Sequence, residues 1–546
     1  MKYHRSEPIR HVGALPTMGA DRYGSSIAVA HRGTEYSYET LEDRSNRVAN
    51  VLAGDGIRAG DRVALYAENS LLFVETLFGV AKAGAVTVPL NTRMAPDRLR
   101  YVLEDADATA LVASEAFADD AEALSNAVET VYTPADDDAR EYDLRGASSE
   151  FEPLERAFDD VVLQCYTSGT TGDPKGVLTT HENVLTTVQS YLSFGGADPE
   201  RDVALCVLPL FHMYGLSVVL LASLYAGRSV VLERATDPAR LLEAITEYGV
   251  TNFSAVPVIY AEMVAELESA PSEYDVSSIE RLGCGAAPLA DDTRRRIELA
   301  FDTPLLEGWG MTETTPAGTR STVYGPKKGA GCIGYPLPKI EIKLVDPESR
   351  ETRVPTAVVD PKSPRSFESF GIDPDDDEQV TGEIAVRGPQ VFEGYHGRPE
   401  LMRASFDDDG FFYTDDIARI DPDGALWMID RADDMLIVGG ENVYPAAVED
   451  ALFEHPDVRA AAVVGAPHET KGEAPVAFVV PEPNAELTER ELREFSLDHV
   501  ASYAHPRRVF FLEELPRSGT RKVQRFKLEA ELDECLDGPL RSSDRL

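Results

Sequence analysis

Basic residues are scarce in this chain of 546 residues. Lysine and arginine number 52 against 95 aspartates and glutamates, which gives a formal net charge of −43. Such a charge repels phosphate backbones and anionic membrane surfaces, so nucleic acid and lipid headgroups are excluded as general partners. Lysine is the rarer cation, with 11 residues against 41 arginines. Because high salt screens the self-repulsion of an acidic chain, this composition favours a halophilic origin over an acidic mesophile protein.

Cysteine is also rare, with five residues that are widely scattered and form no CxxC pair and no zinc-ligand spacing. This pattern predicts a reduced, cytoplasmic protein without a disulfide framework. The first 16 residues lack the apolar core of a signal peptide, which agrees with that location.

Long hydrophobic runs are missing, with one exception. Residues 203–227 contain no Asp, Glu, Lys or Arg and are numerous enough to cross a bilayer. Pro209, His212 and Gly215 interrupt the run, however. We therefore predict a buried strand, a loop and a buried helix here, and no stable membrane insertion.

Apolar residues make up 43% of the chain, enough for large cores. Short apolar runs alternate with amphipathic stretches, as in 62–67, 70–85 and 86–90. This alternation predicts an α/β fold, a large N-terminal body of several subdomains with mostly parallel sheets. From about residue 430 the pattern predicts a small α+β domain, so we divide the chain into 1–430 and 431–546. The acidic, proline-rich stretches around 134–153 and 350–380 predict loops or mobile insertions.

The most informative segment is YTSGTTGDPKG at 166–176, directly after an apolar strand-like run. Its glycines let backbone N–H groups face an anion, its hydroxyls donate hydrogen bonds, and its lysine supplies a positive charge. It is not a Walker loop, which needs GxxxxGK[ST]. A flexible linker is the alternative, but a linker would not need one of the 11 lysines of this chain. The candidate phosphate-binding residues are Thr167, Ser168, Gly169, Thr170, Thr171, Gly172 and Lys175.

This segment closely resembles the signature loop of the adenylate-forming superfamily of acyl-CoA synthetases, luciferases and carrier-loading adenylation domains. Six further motifs follow in the family's order and extend the resemblance over nearly the whole chain. They are PLFHMYG (209–215), GCGAAPL (283–289), EGWGMTET (307–314), YTDD (413–416), DRADDMLIVGGENVYP (430–445) and PRSGTRK (516–522).

The resemblance implies how ATP is bound. An aromatic residue matching Trp309 packs on adenine, Gly310 allows close backbone approach, and the residue matching Thr312 contacts the α-phosphate. The family's glutamate, here Glu313, positions Mg²⁺ together with a loop threonine matching Thr170; carboxylate and hydroxyl oxygens suit that ion. The small residues that form a wall beside adenine correspond to Gly285, Ala286 and Ala287.

The resemblance also assigns residues in the C-terminal part. Asp416 and Arg431 match the ribose-binding acid and its arginine. The usual Thr-Gly-Asp is Thr-Asp-Asp here, so an extra carboxylate, Asp415, stands beside the ribose ligand. Lys522 matches the lysine that bridges the attacking carboxylate and the α-phosphate. The lysine keeps its place in the motif, although Arg521 replaces the glycine that usually precedes it.

Two half-reactions are implied. A carboxylate attacks the α-phosphorus of MgATP to give acyl-AMP and pyrophosphate, and the thiol of coenzyme A then displaces AMP. The family rotates its small domain about a hinge residue, here Asp434, which brings in the turn at Gly439 and Gly440 as the pantetheine passage. His212 stands where the family places a residue at the acyl pocket, although a satisfied core histidine is an equal reading.

These observations predict an AMP-forming, ATP-dependent carboxylic acid–CoA ligase with ATP, Mg²⁺ and coenzyme A as its cofactors. A fatty or other hydrophobic acid is the first expectation for the small-molecule substrate, with short branched and aromatic acids as alternatives. A carrier-loading adenylating enzyme and a non-catalytic adenylate sensor are the rival functions. A homo-oligomer is compatible with the sequence.

Overall fold

A computed structural model of the chain describes residues 9–133, 147–167, 174–193, 198–234, 236–287, 289–322, 328–360, 366–432, 434–438, 441–468, 470–483, 485–497, 499–517 and 523–535. The chain forms two compact units. Unit 1 contains Met1–Glu341 and Val386–Phe412, and unit 2 contains Ile342–Ala385 and Tyr413–Leu546. Each unit is therefore built from two separate stretches of sequence. The division at residue 430 rests on the sequence pattern and stays a prediction.

The strands, in chain order, are β1 Ile27–His31, β2 Thr34–Ser37, β3 Arg62–Tyr66, β4 Val86–Pro89, β5 Ala108–Ala113, β6 Thr130–Tyr132, β7 Val161–Thr167, β8 Lys175–Thr180, β9 Val203–Cys206, β10 Ser229–Leu232, β11 Asn252–Ala255, β12 Arg281–Cys284, β13 Leu305–Trp309, β14 Thr319–Arg320, β15 Cys332–Pro336, β16 Glu341–Val345, β17 Thr352–Val354, β18 Thr381–Arg387, β19 Gly394–Tyr395, β20 Phe412–Ile420, β21 Leu426–Arg431, β22 Leu436–Val438, β23 Glu441–Val443, β24 Val458–His468, β25 Gly472–Pro481 and β26 Arg508–Phe511.

The helices are α1 Leu15–Tyr23, α2 Tyr38–Gly54, α3 Leu71–Lys82, α4 Pro96–Asp105, α5 Ala118–Leu124, α6 His181–Leu192, α7 Ala222–Ala226, α8 Pro238–Tyr248, α9 Pro257–Ser269, α10 Asp291–Phe301, α11 Thr356–Val359, α12 Asp377–Val380, α13 Pro399–Ser405, α14 Pro445–Phe453, α15 Glu489–Leu497 and α16 Arg525–Cys535. Tyr214–Leu221 is π-helical and runs directly into α7.

Unit 1 contains two largely parallel sheets. One has the strand order β19-β8-β7-β4-β3-β5-β6, and the other contains the run β15-β14-β13-β12-β11-β9-β10-β1-β2. The central pairs of both are parallel, for example β3 with β4 and β12 with β13. Apolar side chains of both sheets and of the neighbouring helices form the buried core. The predicted α/β fold with mostly parallel sheets is confirmed for this unit.

Unit 2 contains shorter and mainly antiparallel sheets. One run has the order β17-β16-β18-β20-β21, and a second sheet has the order β23-β22-β25-β24, with β26 pairing parallel to β25. β24 and β25 form its longest hairpin, with Val464 opposite Val476. Helices α14, α15 and α16 pack against this second sheet. The α+β character predicted for the chain after about residue 430 is confirmed.

Local sequence explains where the helices near the phosphate-loop segment begin. Ser70 precedes α3, and its hydroxyl accepts a hydrogen bond from the Phe73 N–H. Thr180 precedes α6 and forms a reciprocal capping pair with Asn183. Such caps satisfy N–H groups that the first helical turn leaves without an intrahelical acceptor. Ser70 and Thr180 therefore fix the residues at which α3 and α6 begin.

The apolar segment 203–227 forms strand β9, a turn, the π-helical stretch and α7, as predicted. Among the described residues, no helix is long and apolar enough to cross a membrane.

The acidic segment 350–380 differs from the prediction of loops. It contains β17 and the short helices α11 and α12, while residues 361–365 lie outside the described residues. Arg353 explains part of this order, because it is ion-paired with Asp346 and donates to the Thr381 carbonyl at 2.9 Å. The sequence did not predict these elements, because the acidic segment has little of the apolar periodicity that indicates a strand or a helix. Of the stretch 134–153, residues 134–146 lie outside the described residues.

Candidate functional site

The ends of the predicted phosphate loop lie opposite each other in a hairpin of unit 1. Strands β7 and β8 are antiparallel, and Thr167 pairs with Lys175. Tyr166, one residue earlier, donates a hydrogen bond to Asp105 at 2.8 Å. The predicted loop residues Ser168, Gly169, Thr170, Thr171 and Gly172 lie outside the described residues. The described strands therefore fix the two ends between which the loop runs.

A tyrosine connects the loop lysine with the predicted magnesium ligand. Strand β19 pairs with β8 and places Tyr395 opposite Val177. Nζ of Lys175 lies 5.6 Å from the centroid of the Tyr395 ring, within the range of a cation–π contact. The Tyr395 hydroxyl donates to Oε1 of Glu313 at 2.8 Å. Lys175 and Glu313 are thus brought to one place although 138 residues separate them.

Tyr395 was not predicted as a site residue. It lies in an ordinary segment, GYHGRPE, with no motif of its own. Its position depends on pairing between two strands far apart in sequence, which leaves no local pattern. The backbone reinforces the contact, because the Phe392 N–H donates to the Glu313 carbonyl at 2.8 Å.

The turn after β13 requires its glycine. A Cβ atom on Gly310 would collide with the carbonyl oxygen of Pro316, so a larger residue would have to displace the backbone. Trp309 is 7% exposed, and its ring lies against Gly318. Thr312 is partly buried and begins a short 3₁₀ turn that contains the buried Glu313. The motif EGWGMTE therefore forms a compact turn with the acidic side chain held inside.

The predicted small-residue wall lies beside this turn. Gly285, Ala286 and Ala287 follow β12, which is parallel to β13. A Cβ on Gly285 would lie 3.0 Å from the Gly308 carbonyl oxygen, and both alanines are exposed. Ala286 has a φ of +67°, an unusual conformation for a residue with a side chain. The carboxyl ends of two adjacent parallel strands thus present small residues at one edge, a common place for ligands in α/β sheets.

His212 lies near the start of the phosphate loop. It follows β9 and lines a small cavity that Tyr166, Phe211 and Met94 also line. The His212 ring is partly buried, with its centroid 4.5 Å from that of Phe211. Cys284, at the end of strand β12, is buried, and burial raises the pKa of its thiol. The structure therefore places His212 at a cavity wall, and Cys284 in the core.

Unit 2 brings the predicted ribose residues together. Strands β20 and β21 are antiparallel, and Asp416 pairs with Arg431, whose Nη1 lies 3.5 Å from Oδ1 of Asp416. The neighbouring Asp415 has a φ of +59°, in the left-handed region that favours glycine. Its N–H donates to Oε1 of Glu383 at 3.0 Å. The extra aspartate in the TDD motif thus occupies the conformation that suits the family's usual glycine.

The predicted hinge residue lies in a network of charges within unit 2. Arg525 is ion-paired with Asp434 at 3.3 Å and with Glu449 at 2.6 Å. Burial by itself would lower the pKa of the Arg525 guanidinium. The neighbouring carboxylates have the larger effect, so the pKa is raised. Burial also raises the pKa of nearby Asp430 to about 6. Lys522, Gly439 and Gly440 lie outside the described residues.

Comparison with known proteins agrees with these features. A model of the AMP-binding enzyme family matches residues 17–396, and a model of the AMP-binding enzyme C-terminal domain matches residues 447–522. A feruloyl-CoA synthase from Amycolatopsis sp is 35% identical over 94% of this chain and 97% of its own. The 4-coumarate-CoA ligase 1 of Narcissus pseudonarcissus is 32% identical, over 92% of this chain and 90% of its own.

Solved structures share the fold as well. The crystal structure of ATP-bound MatB from Rhodopseudomonas palustris has a TM-score of 0.84 and 30% sequence identity, and the match covers 96% of this chain and 99% of that one. Family models, relatives and structure thus agree over most of the length. The chain therefore belongs to the AMP-binding enzyme family and is an adenylate-forming, ATP- and coenzyme A-dependent acid–CoA ligase.

Proposed function

We propose that this ligase activates a compact carboxylic acid of aromatic size and converts it to its coenzyme A thioester. The observation that carries the site assignment is the contact of Tyr395 with both Lys175 and Glu313. It joins a positive charge suited to phosphate with a hard oxygen ligand suited to Mg²⁺. Such a pair fits an ATP triphosphate bound with its metal ion.

In the first half-reaction these groups would act through their charges. Lys175 neutralises phosphate oxygens, and Mg²⁺ held by Glu313 and Thr170 would draw negative charge from the departing pyrophosphate. Thr312 would donate its hydroxyl to the α-phosphate, and Lys522 would approach the attacking carboxylate and the same phosphate. Trp309, Gly310 and the small residues Gly285, Ala286 and Ala287 would bound the adenine, while Asp416 and Arg431 would hold the ribose.

The second half-reaction needs a changed site. Asp434 would act as the hinge that removes Lys522 and brings the turn at Gly439 and Gly440 to the acyl-adenylate. The small residues of that turn suit a narrow pantetheine passage. His212, at the cavity wall near Tyr166, would lie beside the acyl carbonyl.

Two observations support a compact acid rather than a long fatty acid, the first expectation from the sequence. The relatives named above are a feruloyl-CoA and a 4-coumarate-CoA enzyme, which act on aromatic acids. The cavity that His212, Tyr166 and Phe211 line is small, which suits a compact acyl group. A fatty acid is the alternative that the same experiment tests.

The test is AMP release in molar salt with MgATP and coenzyme A, across aromatic, short branched and long-chain acids. We expect turnover that depends on both acid and coenzyme A, with aromatic acids preferred. Lys522→Ala should lower kcat by at least about 100-fold, because it removes charge stabilisation in the transition state. Lys527→Ala is the matched control, since Lys527 is an exposed lysine on α16, and should keep near-normal turnover.

Other outcomes separate the rival functions. AMP release that needs no coenzyme A would favour a carrier-loading enzyme. Nucleotide binding without pyrophosphate exchange for any acid would favour a sensor. Preference for long-chain acids would contradict the compact substrate but leave the ligase reaction intact.

A further inference from the structure

A cluster of polar side chains packs against Gly283 of β12 and Gly308 of β13. The Arg320 cluster consists of Tyr191, Tyr214, Ser254 and Arg320. Arg320 stands opposite Gly308 in the β13–β14 pair, and its guanidinium carbon lies 5.8 Å from the centroid of the Tyr191 ring. Nothing in the site described above uses these four residues.

The cluster lies close to the site, because a Cβ on Gly285 in the predicted small-residue wall would lie 3.7 Å from the Tyr214 ring. A Cβ on Gly308 would lie 3.9 Å from the Tyr191 hydroxyl, and a Cβ on Gly283 would lie 3.5 Å from the Tyr214 hydroxyl. Ser254 is hydrogen-bonded to Tyr214 and would contact the same added atom on Gly283. A Cβ on Gly283 would lie only 2.5 Å from Ser254 Oγ, and a Cβ on Gly308 would lie 3.0 Å from the Thr319 carbonyl oxygen. Glycine at these two positions therefore lets the cluster pack directly against the strands.

The guanidinium of Arg320 lies over an aromatic ring. Among the residues the structure describes, no acidic side chain is ion-paired with Arg320; its contact is with an aromatic ring. The nearby Asp202 is already ion-paired with Arg228 at 3.2 Å and with Arg281 at 3.0 Å. Burial and repulsion from Arg281 lower the pKa of Arg320, although the two tyrosines act in the opposite direction.

This arrangement is unusual in energetic terms. Removing a guanidinium from water without an anionic partner is costly, and structural arginines inside proteins are normally paired. The rest of this chain could have supplied a partner easily, since acidic residues outnumber basic ones by 95 to 52. A cation left without a carboxylate beside a ligand site is the arrangement expected when the ligand brings the anion.

The position of the cluster suggests which part of the ligand that is. Thr312 and Glu313, which are proposed to face the phosphates, follow the end of β13, whereas Arg320 stands on β14 opposite Gly308, within the strand pair. An acid activated near Thr312 and directed back along β13 would present its other end to Arg320. The group that meets the guanidinium is therefore the end of the acid remote from the reacting carboxylate.

We propose that Arg320, together with Tyr191 and Tyr214, binds a second carboxylate on the substrate, so that the enzyme activates compact dicarboxylic acids. The inference rests on the proposed function and names its substrate class more closely. The second carboxylate is not consumed: one carboxylate forms the bond to phosphorus and then to sulfur, and the other stays ionised against Arg320. A charge-assisted contact of this kind adds both affinity and orientation.

The test compares pairs of acids that differ in one terminal group. Terephthalate is paired with 4-methylbenzoate, 4-carboxycinnamate with 4-methylcinnamate, and adipate with hexanoate. We expect the wild-type enzyme to give a kcat/KM at least about 10-fold higher for the dicarboxylate in the preferred pair. Arg320→Gln should lower kcat/KM for that dicarboxylate by about 10- to 100-fold and change the methyl partner by less than about threefold. Arg320→Lys, which keeps the charge, should recover part of the loss.

Controls separate this role from a structural one. Arg295→Gln removes an arginine from the exposed face of α10 and should leave the preference unchanged. A thermal shift without ATP adds a readout that does not depend on turnover: the dicarboxylate should raise the Tm of the wild type more than that of Arg320→Gln.

Equal losses for both members of every pair, or a wild-type preference for the methyl acids, would overturn the proposal while the ligase function stood. If no acid supports AMP release, the proposed function fails, and the thermal shift then decides the anion site by itself. Absence of any dicarboxylate-specific shift would overturn the site in that case as well.

Discussion

At the scale of single residues, the backbone of Asp415 departs from a relaxed structure. Its φ of +59° is costly for a residue with a Cβ, and glycine adopts it freely. We therefore expect Asp415→Gly to raise the free energy of unfolding by about 0.5–1 kcal/mol. Chemical denaturation would measure this change, with Asp408→Gly as the control because Asp408 is exposed and does not have a positive φ.

The same variant decides which aspartate of the TDD motif serves ATP. Asp416 is buried and pairs with Arg431, whereas the backbone of Asp415 holds Glu383 and Ala432. Asp415→Gly should therefore keep the KM for ATP within about twofold of normal. A large rise in that KM would show that Asp415, and not Asp416, binds the ribose.

At the scale of elements, the pairing of β19 with β8 places Tyr395 between Lys175 and Glu313. Tyr395→Phe keeps the ring and removes the hydrogen bond to the carboxylate. Loss of a charge-assisted hydrogen bond is worth about 1.5–3 kcal/mol, so we expect kcat/KM for MgATP to fall by about 10-fold or more. Steady-state kinetics at several Mg²⁺ concentrations would measure it.

Tyr274→Phe is the matched control for that experiment. The Tyr274 hydroxyl also donates a hydrogen bond to a glutamate, at 3.0 Å. That glutamate, Glu266, lies on α9 and has no role in the proposed site. Its variant should leave kcat/KM unchanged. Equal effects of the two variants would mean that the Tyr395 hydroxyl contributes only to folding.

Elements with a local signature were predictable from the sequence. Alternation of apolar strands with amphipathic stretches gave β3, α3 and β4, because burial on both faces of a parallel sheet leaves a continuous apolar run. Motifs likewise indicated Lys175 and Glu313 as candidate site residues, and the structure places them on either side of Tyr395. Strand β19, Tyr395 and the inclusion of 342–385 in unit 2 were not predictable, because they depend on pairing between distant segments. Arg320 was missed for a similar reason, since one arginine in a two-residue strand carries no pattern.

At the scale of the whole molecule, two buried histidines make stability depend on pH. The His11 and His181 rings are stacked with centroids 4.4 Å apart, and the Val12 N–H donates to Nδ1 of His181. Burial, with further repulsion from neighbouring cations, lowers the pKa of His11 to about 4 and that of His181 to about 2. The unfolded chain binds protons at both residues below about pH 6.5, and the folded chain does not. Stability from this pair is therefore lost as pH falls from about 6.5 towards 4.

We expect the His11 contribution to this loss to reach about 2 kcal/mol at pH 5. Denaturation at pH 7.5 and pH 5 in constant salt would measure it. His11→Phe keeps a stacked ring without a titrating group, so the difference between the two pH values should shrink. His499→Gln, at an exposed histidine, should leave the difference unchanged. If the free energy of unfolding falls as much between pH 7.5 and pH 5 in His11→Phe as in the wild type, the acid-sensitive group is a residue other than His11.

The high negative charge acts at the same scale. Many acidic side chains are ion-paired with arginine rather than lysine, as in the contacts of Arg240 and Arg525. Arginine presents several donors in a fixed plane and holds a carboxylate at two points. A halophilic origin remains a prediction from composition, and unfolding across a salt series would test it.

The two units also differ in when they can be completed during synthesis. Unit 1 needs Val386–Phe412, which the ribosome makes after the first strands of unit 2. Those strands, β16 and β17, must in turn wait for β20 and β21 before their sheet is formed. Contacts between distant segments form slowly and leave strand edges exposed meanwhile. A fragment that stops at Glu341 would lack Tyr395 and its strand. A fragment that begins at residue 431 would lack β16, β17, β18 and β20 and all but the last residue of β21, so neither fragment would contain a complete unit.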